Sequence, residues 1–254
     1  MKQVGNWWLT DGDKLGSYLD NAEHVSYMSR PKDLVDFAMT KNITNAIEKH
    51  TRYNNGATTS HDKVLIDVGA SYGFVANRVA KMFDRVHCFE VLDDVRECLR
   101  LNVAEHRHVE VHPMGCSDRE RQLMIGYVPS HTMLSGVSIN QVQYTDRVER
   151  IVSVRPIDDS NIANVTCMKI DVEGHEKHVL LGARNTLMSP VVPTVVFVEC
   201  WDKGEYYLQQ RLDVLAIMES YGYSYCGTAA NVVKKNTKAT DDMIFKRGWR
   251  QVAK

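Results

Sequence analysis

Beyond Lys63 the chain alternates between two hydrophobic rhythms: short, nearly unbroken apolar runs, and stretches whose apolar positions return at helical spacing. VLIDVGA (64–70) is a run of the kind a strand buried on both faces requires. After Gly73, the residues Phe74, Val75, Val79, Met82 and Phe83 fall on one helical stripe. Arg85–Phe89 reads as a second strand closed by Glu90. Asp93 and Asp94 then offer N-caps to a helix with Val95, Cys98, Leu99 and Val103 on one side. VEVHPM (109–114) is the third strand and CMKID (167–171) the fourth, followed by a helix, VLLGARNTLM, that Ser189-Pro190 stops. VVFVEC (195–200) is the fifth. A helix from Tyr206 to Tyr221, with Leu208, Leu212, Leu215 and Met218 as its buried stripe, ends at Gly222. Strands near Tyr223–Cys226 and Met243–Lys246 bring the total to seven. This βαβ alternation predicts an α/β fold: a doubly wound, mostly parallel seven-stranded sheet with helices on both faces and right-handed crossovers.

Two regions break the rhythm. Residues 1–60 carry helical patterns at Asp33–Met39 and Asn45–His50, then the turn-rich NNGATTSHD. They are expected to form an N-terminal helical cap, or substrate lid, on a domain spanning 61–254. The Trp7-Trp8 pair is expected to bury itself between cap and core rather than to meet a partner. Residues 126–150 are polar and irregular, suited to a long functional loop that supplies the substrate's walls.

Composition narrows the function classes. A formal charge of −1 over 254 residues removes the basic surplus of a constitutive nucleic-acid binder. No apolar stretch reaches the length of a membrane span, and the N-terminus lacks the apolar region of a secretory signal. The six cysteines form no CxxC, and in so large a chain they read as reduced, mostly buried thiols of a cytoplasmic protein.

The densest chemistry lies in KIDVEGHE (169–176). There a strand ends among Asp171, Glu173 and Glu176 and the chain turns through Gly174 into a helix, at the strand end where α/β sheets mount their ligands. With Met168 before it and KHVLLGARNTL after it, this stretch resembles the signature of FkbM-type S-adenosylmethionine-dependent methyltransferases. The resemblance runs from about Val64 to Lys246, through VLIDVGASYG, VHCFEV, VSVRPIDDSNIANVTCMKIDVEGHE and VVFVEC. It implies a class I, Rossmann-like methyltransferase fold and transfer of a methyl group from S-adenosylmethionine to a hydroxyl of a sugar, glycan or small-molecule scaffold. Residues 1–60 and His131–Gln143 fall outside it, and substrate choice would be written there.

The turn DVGASYG places Asp67, Gly69, Ala70, Ser71, Tyr72 and Gly73 at the first strand end. Its GxxxG spacing departs from the GxGxxG of a pyrophosphate-binding turn and suits a phosphate-free cofactor that backbone must approach closely. A tight turn alone would also account for it. Glu90, with Val91 beside it, occupies the position that accepts ribose hydroxyls in related folds. Ser117 and Asp118 in GCSD are candidates for the adenine amino group, although GCSD followed by RERQ also reads as a plain turn.

A hydroxyl acceptor must lose its proton, to a base or with help from a metal. Asp171 is the first candidate base, also lying beside the cofactor, with Glu173 and Glu199 as neighbours. Asp171 and Glu199 are the candidate Mg²⁺ ligands. Glu173 reads equally as a cap on the following helix. His175, at a helix N-terminus that favours its neutral form, reads as a base or as a surface residue. His106 and His108, with His112 nearby, suggest zinc, but no cysteine partner has matching spacing and they read as solvated loop histidines. His131 is an open substrate contact. Two other readings stand beside the leading one. One is an RNA ribose 2′-O-methyltransferase using Asp171, Glu199 and Lys169 or Lys203; the other is a non-catalytic interaction protein on a cofactor fold.

Overall fold

The structure is a computed structural model and describes residues 1–14, 62–130, 132, 135–137, 146–189, 195–200, 204–228 and 242–247. The helical patterns at Asp33–Met39 and Asn45–His50, His131 and Lys203 lie outside the described residues. The described start of the chain is a hairpin of β1 (Lys2–Val4) and β2 (Trp7–Leu9). The main chain of elements then runs β3 (Val64–Val68), α1 (Phe74–Val79), β4 (Arg85–Phe89), α2 (Asp93–Asn102) and β5 (Val109–His112). Next come β6 (Gly115–Cys116), β7 (Arg121–Tyr127) and β8 (Val148–Arg155), followed by β9 (Val165–Ile170), α3 (Glu176–Gly182) and α4 (Arg184–Met188). β10 (Val195–Glu199), α5 (Gly204–Ser220), β11 (Tyr223–Thr228) and β12 (Asp242–Arg247) complete the order.

Seven strands form one mixed sheet in the order β11-β12-β10-β9-β3-β4-β5. The pairings β10–β9, β9–β3, β3–β4 and β4–β5 are parallel; β12 runs antiparallel to both of its neighbours. Side-chain alternation divides the core between the two faces. Ile66, Val68, Met168, Ile170, Val196 and Val198 face α3, α4 and α5, while Leu65, Val86, Cys88, Cys167 and Phe197 face α1 and α2. Burying both sides of β3, β9 and β10 explains why these strands read as continuous apolar runs rather than alternating ones. All six cysteines are free; five are buried and Cys226 is exposed. Among the described residues no helix is long and apolar enough to cross a membrane.

Three expectations need correction. The region 126–150 is not irregular throughout: Gly126 and Tyr127 finish β7, Val148 starts β8, and β8 pairs with both β7 and β6 in a separate three-stranded sheet. The buried stripe of α5 is Val214 and Met218, with Leu215 and Ile217 partly covered, whereas Leu208 and Leu212 are half exposed. His106 is buried rather than solvated, and His108 meets the Ala80 carbonyl through Nε2 at 2.9 Å. The tryptophan pair lies against the core, while the expected helical cap falls outside the described residues. Trp7 and Trp8 pack against the third core cluster, Trp7 edge-on to Phe74 at 4.5 Å, and Asn102 exchanges hydrogen bonds with the Trp8 backbone.

Candidate active site

Strand order reverses beside β3, since β3 is followed in sequence by β4 on one side but pairs with β9 on the other. At such a switch point the loops leaving adjacent strands part, and a crevice opens at their carboxyl ends. A cavity of about 950 Å³, open mouth included, lies there. The turns after β3 and β4 form one wall and the turns after β9 and β10 another, with β7 and β8 behind.

On the first wall Gly69 stands at φ +75°, and a Cβ on it would lie 1.8 Å from the Asp171 carbonyl oxygen. Glycine here lets the β3 and β9 strand ends touch, and the Asp171 N–H donates to the Val68 carbonyl at 3.0 Å. Glu90 is buried, with one carboxylate oxygen accepting the Ser71 N–H and the other the Leu92 N–H, each at 2.9 Å. Burial pushes its carboxyl above the usual range, against those two backbone donors and the Arg96 guanidinium. Each carboxylate oxygen still has acceptor capacity for a hydroxyl.

The second wall is a cluster of charge. Lys169 lies 3.0 Å from Asp171 Oδ2 and 3.6 Å from Asp67 Oδ1. Burial works against its ammonium, but the two carboxylates outweigh burial and raise its pKa, so Lys169 is a fixed cation. Burial also opposes the charge on Asp171, yet the Lys169 ammonium and a hydrogen bond from Glu199 hold its carboxyl below the usual range. Glu199 shifts the other way, raised first by burial and then by Asp171. The pair therefore shares one proton, with Glu199 as its carrier. Glu173, at φ +52°, is pushed up to about 8 by burial and by the charges of Asp171 and Glu176. Carboxylate oxygens of Asp171, Glu173 and Glu199 all lie within 4.8 Å of one another.

The turn that carries these acids is held from below. Glu176, buried in the first turn of α3, accepts the Val172 and Gly174 N–H groups at 3.2 and 3.0 Å. Tyr206 and Gln210 of α5 donate to the Gly174 carbonyl. It is Glu176 that ties the helix start to the turn, and Glu173 lines the cavity. From above, Gly136 approaches so closely that a Cβ there would meet Glu173 Cβ at 2.5 Å. Gly136 is in turn bridged to Gly126 by hydrogen bonds of 3.0 and 3.1 Å.

Of the residues singled out from the sequence, Gly69, Ser71, Glu90, Val91, Asp171, Glu173, His175 and Glu199 line the cavity. Asp67, Ala70, Tyr72, Gly73, Ser117 and Asp118 do not. Asp67 lies beneath, against Lys169. Ala70 is packed in the core, and Gly73 sits against Leu99, which a Cβ would meet at 2.4 Å. The Tyr72 hydroxyl is committed to Thr10, Asp13 and Thr132 at 2.6–2.9 Å, which ties the N-terminal segment to the residues over the cavity. Ser117 donates to Asp118 and meets His175 Nε2, both at 2.9 Å, so these two residues position a histidine. His175 itself is buried, and burial, followed by His178 and Arg121, pushes its pKa down to about 4. It is neutral, as expected, but mainly through burial rather than the helix terminus. The apolar back wall of Leu123, Ile125, Val152 and Val154 was not anticipated. Its signal was present as the alternation in LMIGY and VSV, hidden by the polar residues between.

Comparison with known proteins follows the same ground. Residues 67–225, more than half of the chain, match the methyltransferase FkbM domain. The chain is 26% identical to the AMB antimetabolite synthetase AmbE of Pseudomonas aeruginosa, in an alignment covering 66% of this chain and 10% of that protein. It thus spans a small fraction of the curated relative it matches. Among solved structures it is similar to a methyltransferase FkbM from Methylobacillus flagellatus, with a TM-score of 0.49 and 17% identity over 76% of this chain and 46% of that one. It is also similar to a precorrin-6y C5,15-methyltransferase from Geobacter metallireducens, with a TM-score of 0.42 and 11% identity over 81% and 88%. Both structural likenesses are loose and add no weight to the family match.

Proposed function

The chain belongs to the methyltransferase FkbM domain family, and from that premise we propose that it is an S-adenosylmethionine-dependent O-methyltransferase acting on a hydroxyl of a sugar, glycan or small-molecule scaffold. The sheet is then the doubly wound, mostly parallel sheet of a class I methyltransferase, with β12 its single reversed strand. The observation that carries the reading is at Glu199. Its Oε2 is enclosed and has no hydrogen-bond partner among the described residues, yet Glu199 lines the cavity beside an ionised Asp171. A buried carboxyl oxygen without a partner costs about 1–3 kcal/mol, which a bound hydroxyl would relieve.

The first wall fits S-adenosylmethionine. Glu90 would accept the ribose hydroxyls, the close approach at Gly69 leaves backbone open to the methionine portion, and Val91 and Val154 offer apolar surface to the adenine. When bound, the cofactor supplies an electrophilic methyl group on a sulfonium. The protein's own contribution is positioning, worth about 7–11 kcal/mol in well-oriented reactions, and a sink for one proton. Asp171 accepts the hydrogen bond of the acceptor hydroxyl and orients it. As the methyl group is transferred the hydroxyl's proton passes to Asp171, and Glu173, ionised above about pH 8, receives it from there. Mg²⁺ shared by Asp171 and Glu199 is disfavoured because Lys169 already sets a cation 3.0 Å from Asp171. Activity is therefore expected to survive EDTA. Residues 1–60 are the lid in this reading, and at its described start the Tyr72 hydroxyl donates to Asp13 and bonds Thr10.

Likeness to a segment of an antimetabolite synthetase supports a small-molecule scaffold as acceptor. An RNA 2′-hydroxyl is less well served, because Lys169 is locked between two carboxylates. The test is incubation with methyl-labelled cofactor and separate sugar, lipid-linked glycan, small-molecule and RNA pools, followed by mass spectrometry. Label on a non-nucleic hydroxyl is expected. Label on RNA ribose would overturn the acceptor class, and absence of cofactor binding by calorimetry would overturn the whole reading.

A further inference from the structure

Among the described residues, one group of side chains apart from the cleft converges as a ligand set. His87 on β4 pairs in register with Glu110 on β5, and His112 follows two residues later on the same face. His87 Nδ1 lies 3.1 Å from His112 Nε2 and 3.5 Å from Glu110 Oε2, and the three ligand atoms all fall within 4.8 Å of one another. A tetrahedral zinc with bonds of ~2.0–2.1 Å has ligand–ligand edges of about 3.3 Å. The two observed separations bracket that edge. We propose that His87, Glu110 and His112 form a Zn²⁺ site at the sheet edge, separate from the methyl-transfer cleft.

The arrangement is preorganised by packing. His112 stacks on Phe89 at 4.4 Å with 14° between the planes, and the His87 ring is inclined only 28° to it, so the two ring nitrogens face each other. His87 is buried between Val86 and Cys88 of its own strand and opposite Ile66 of β3; its ligand atom Nδ1 shares a hydrogen bond with His112 Nε2 that the ion would replace, and its Nε2 has no hydrogen-bond partner among the described residues. An imidazole in that position forgoes packing and hydrogen bonds that an aliphatic side chain would not need. Two nitrogen lone pairs and one carboxylate form the donor set of open zinc sites, and the half-exposed Glu110 leaves a fourth position facing water. Arg85 and Arg155 lie near enough to His87 and His112 to oppose a cation, and Glu110 supplies the offsetting charge. The ion would staple the edge strand β5 to β4.

The experiment uses the full chain, stripped with chelator and titrated with Zn²⁺ by calorimetry, with Co²⁺ absorption as a second readout. One equivalent is expected, with tetrahedral Co²⁺ bands and a raised Tm. Glu110→Gln and His112→Ala should each weaken binding tenfold or more, while Glu173→Gln in the cleft should not. Glu110 is exposed, so its variant is expected to fold, and it decides the matter if His112→Ala does not. Absence of stoichiometric binding, or binding unchanged by Glu110→Gln, would overturn the site whatever the fate of the methyltransferase reading.

Discussion

The two walls of the cleft use carboxylates in opposite ways. Glu90 is held by backbone: two N–H groups from the turns after β3 and β4 fix both of its oxygens. Asp171, Glu173 and Glu199 are held chiefly by one another and by Lys169. Backbone donors hold a carboxylate in one geometry, as a group that recognises hydroxyls must be held. Burial first, then mutual charge, raises Glu173 and Glu199, while Lys169 lowers Asp171, so the acids are spread apart in pKa. In the proposed reading, the same side-chain chemistry serves as a rigid acceptor on one wall and a proton store on the other.

The largest expected effect falls where the walls meet. Gly69→Ala places a methyl group inside the Asp171 carbonyl and forces a non-glycine residue to φ +75°. It should destabilise the fold by about 3 kcal/mol, read by chemical denaturation. A wild-type denaturation midpoint would show that the walls are not in contact. Next, Asp171→Asn should lower turnover on the order of 100-fold with less than about threefold change in cofactor affinity. Equal losses in both would mean that Asp171 serves the cofactor wall instead. Glu90→Ala should do the reverse, weakening cofactor binding about tenfold, some 1.4 kcal/mol, by calorimetry.

The last comparison is the dependence on pH. Glu173 carries a folded-state pKa of about 8 against an ordinary 4.5. Its proton therefore favours the folded state fully below pH 4.5, and that contribution is lost as pH rises through 8. Tm should decline across this window, and less so in Glu173→Gln, while the rate climbs towards a limb near pH 8 that the same variant removes. His175 runs the other way: its pKa falls to about 4, so stability is lost as pH falls from 6.5 towards 4. A pH profile of Tm identical in Glu173→Gln and wild type would detach Glu173 from the proton store.

Much of the fold was legible because the strands buried on both faces, such as VLIDV and VVFVE, leave no alternative reading of their apolar runs. The element hardest to read was the β6-β8-β7 sheet. RQLMIGY buries only its last residues, so its polar first half masked the strand. On α5, Leu208, Leu212, Leu215 and Met218 read as one broad stripe, but the helix turns its Val214–Met218 side to the sheet, and Leu208 and Leu212, roughly 80–120° round the helix from Met218, are left exposed. Helical period states which residues share a face and is silent on which face is covered. In the site, DVGASYG and KIDVEGHE marked the right strand ends. What they could not convey was that Ser117 and Asp118 serve His175, or that the Tyr72 hydroxyl faces Thr10 and Asp13 instead of the cavity.

The sequence by itself determined the strands, their alternation with helices, and the identity of the acids at their ends, because those follow from local periodicity and turn chemistry. Only the tertiary structure decided which acid is charged. Asp171, Glu173 and Glu199 are the same functional group, and their pKa values diverge because β9 and β10 run side by side: burial acts on all three, and Lys169 is set closest against Asp171. The convergence of His87 with Glu110 and His112 likewise depends on the register of β4 against β5. Neither a shared proton nor a shared ion can be read along a chain, since both arise from distances between residues that the sequence holds apart.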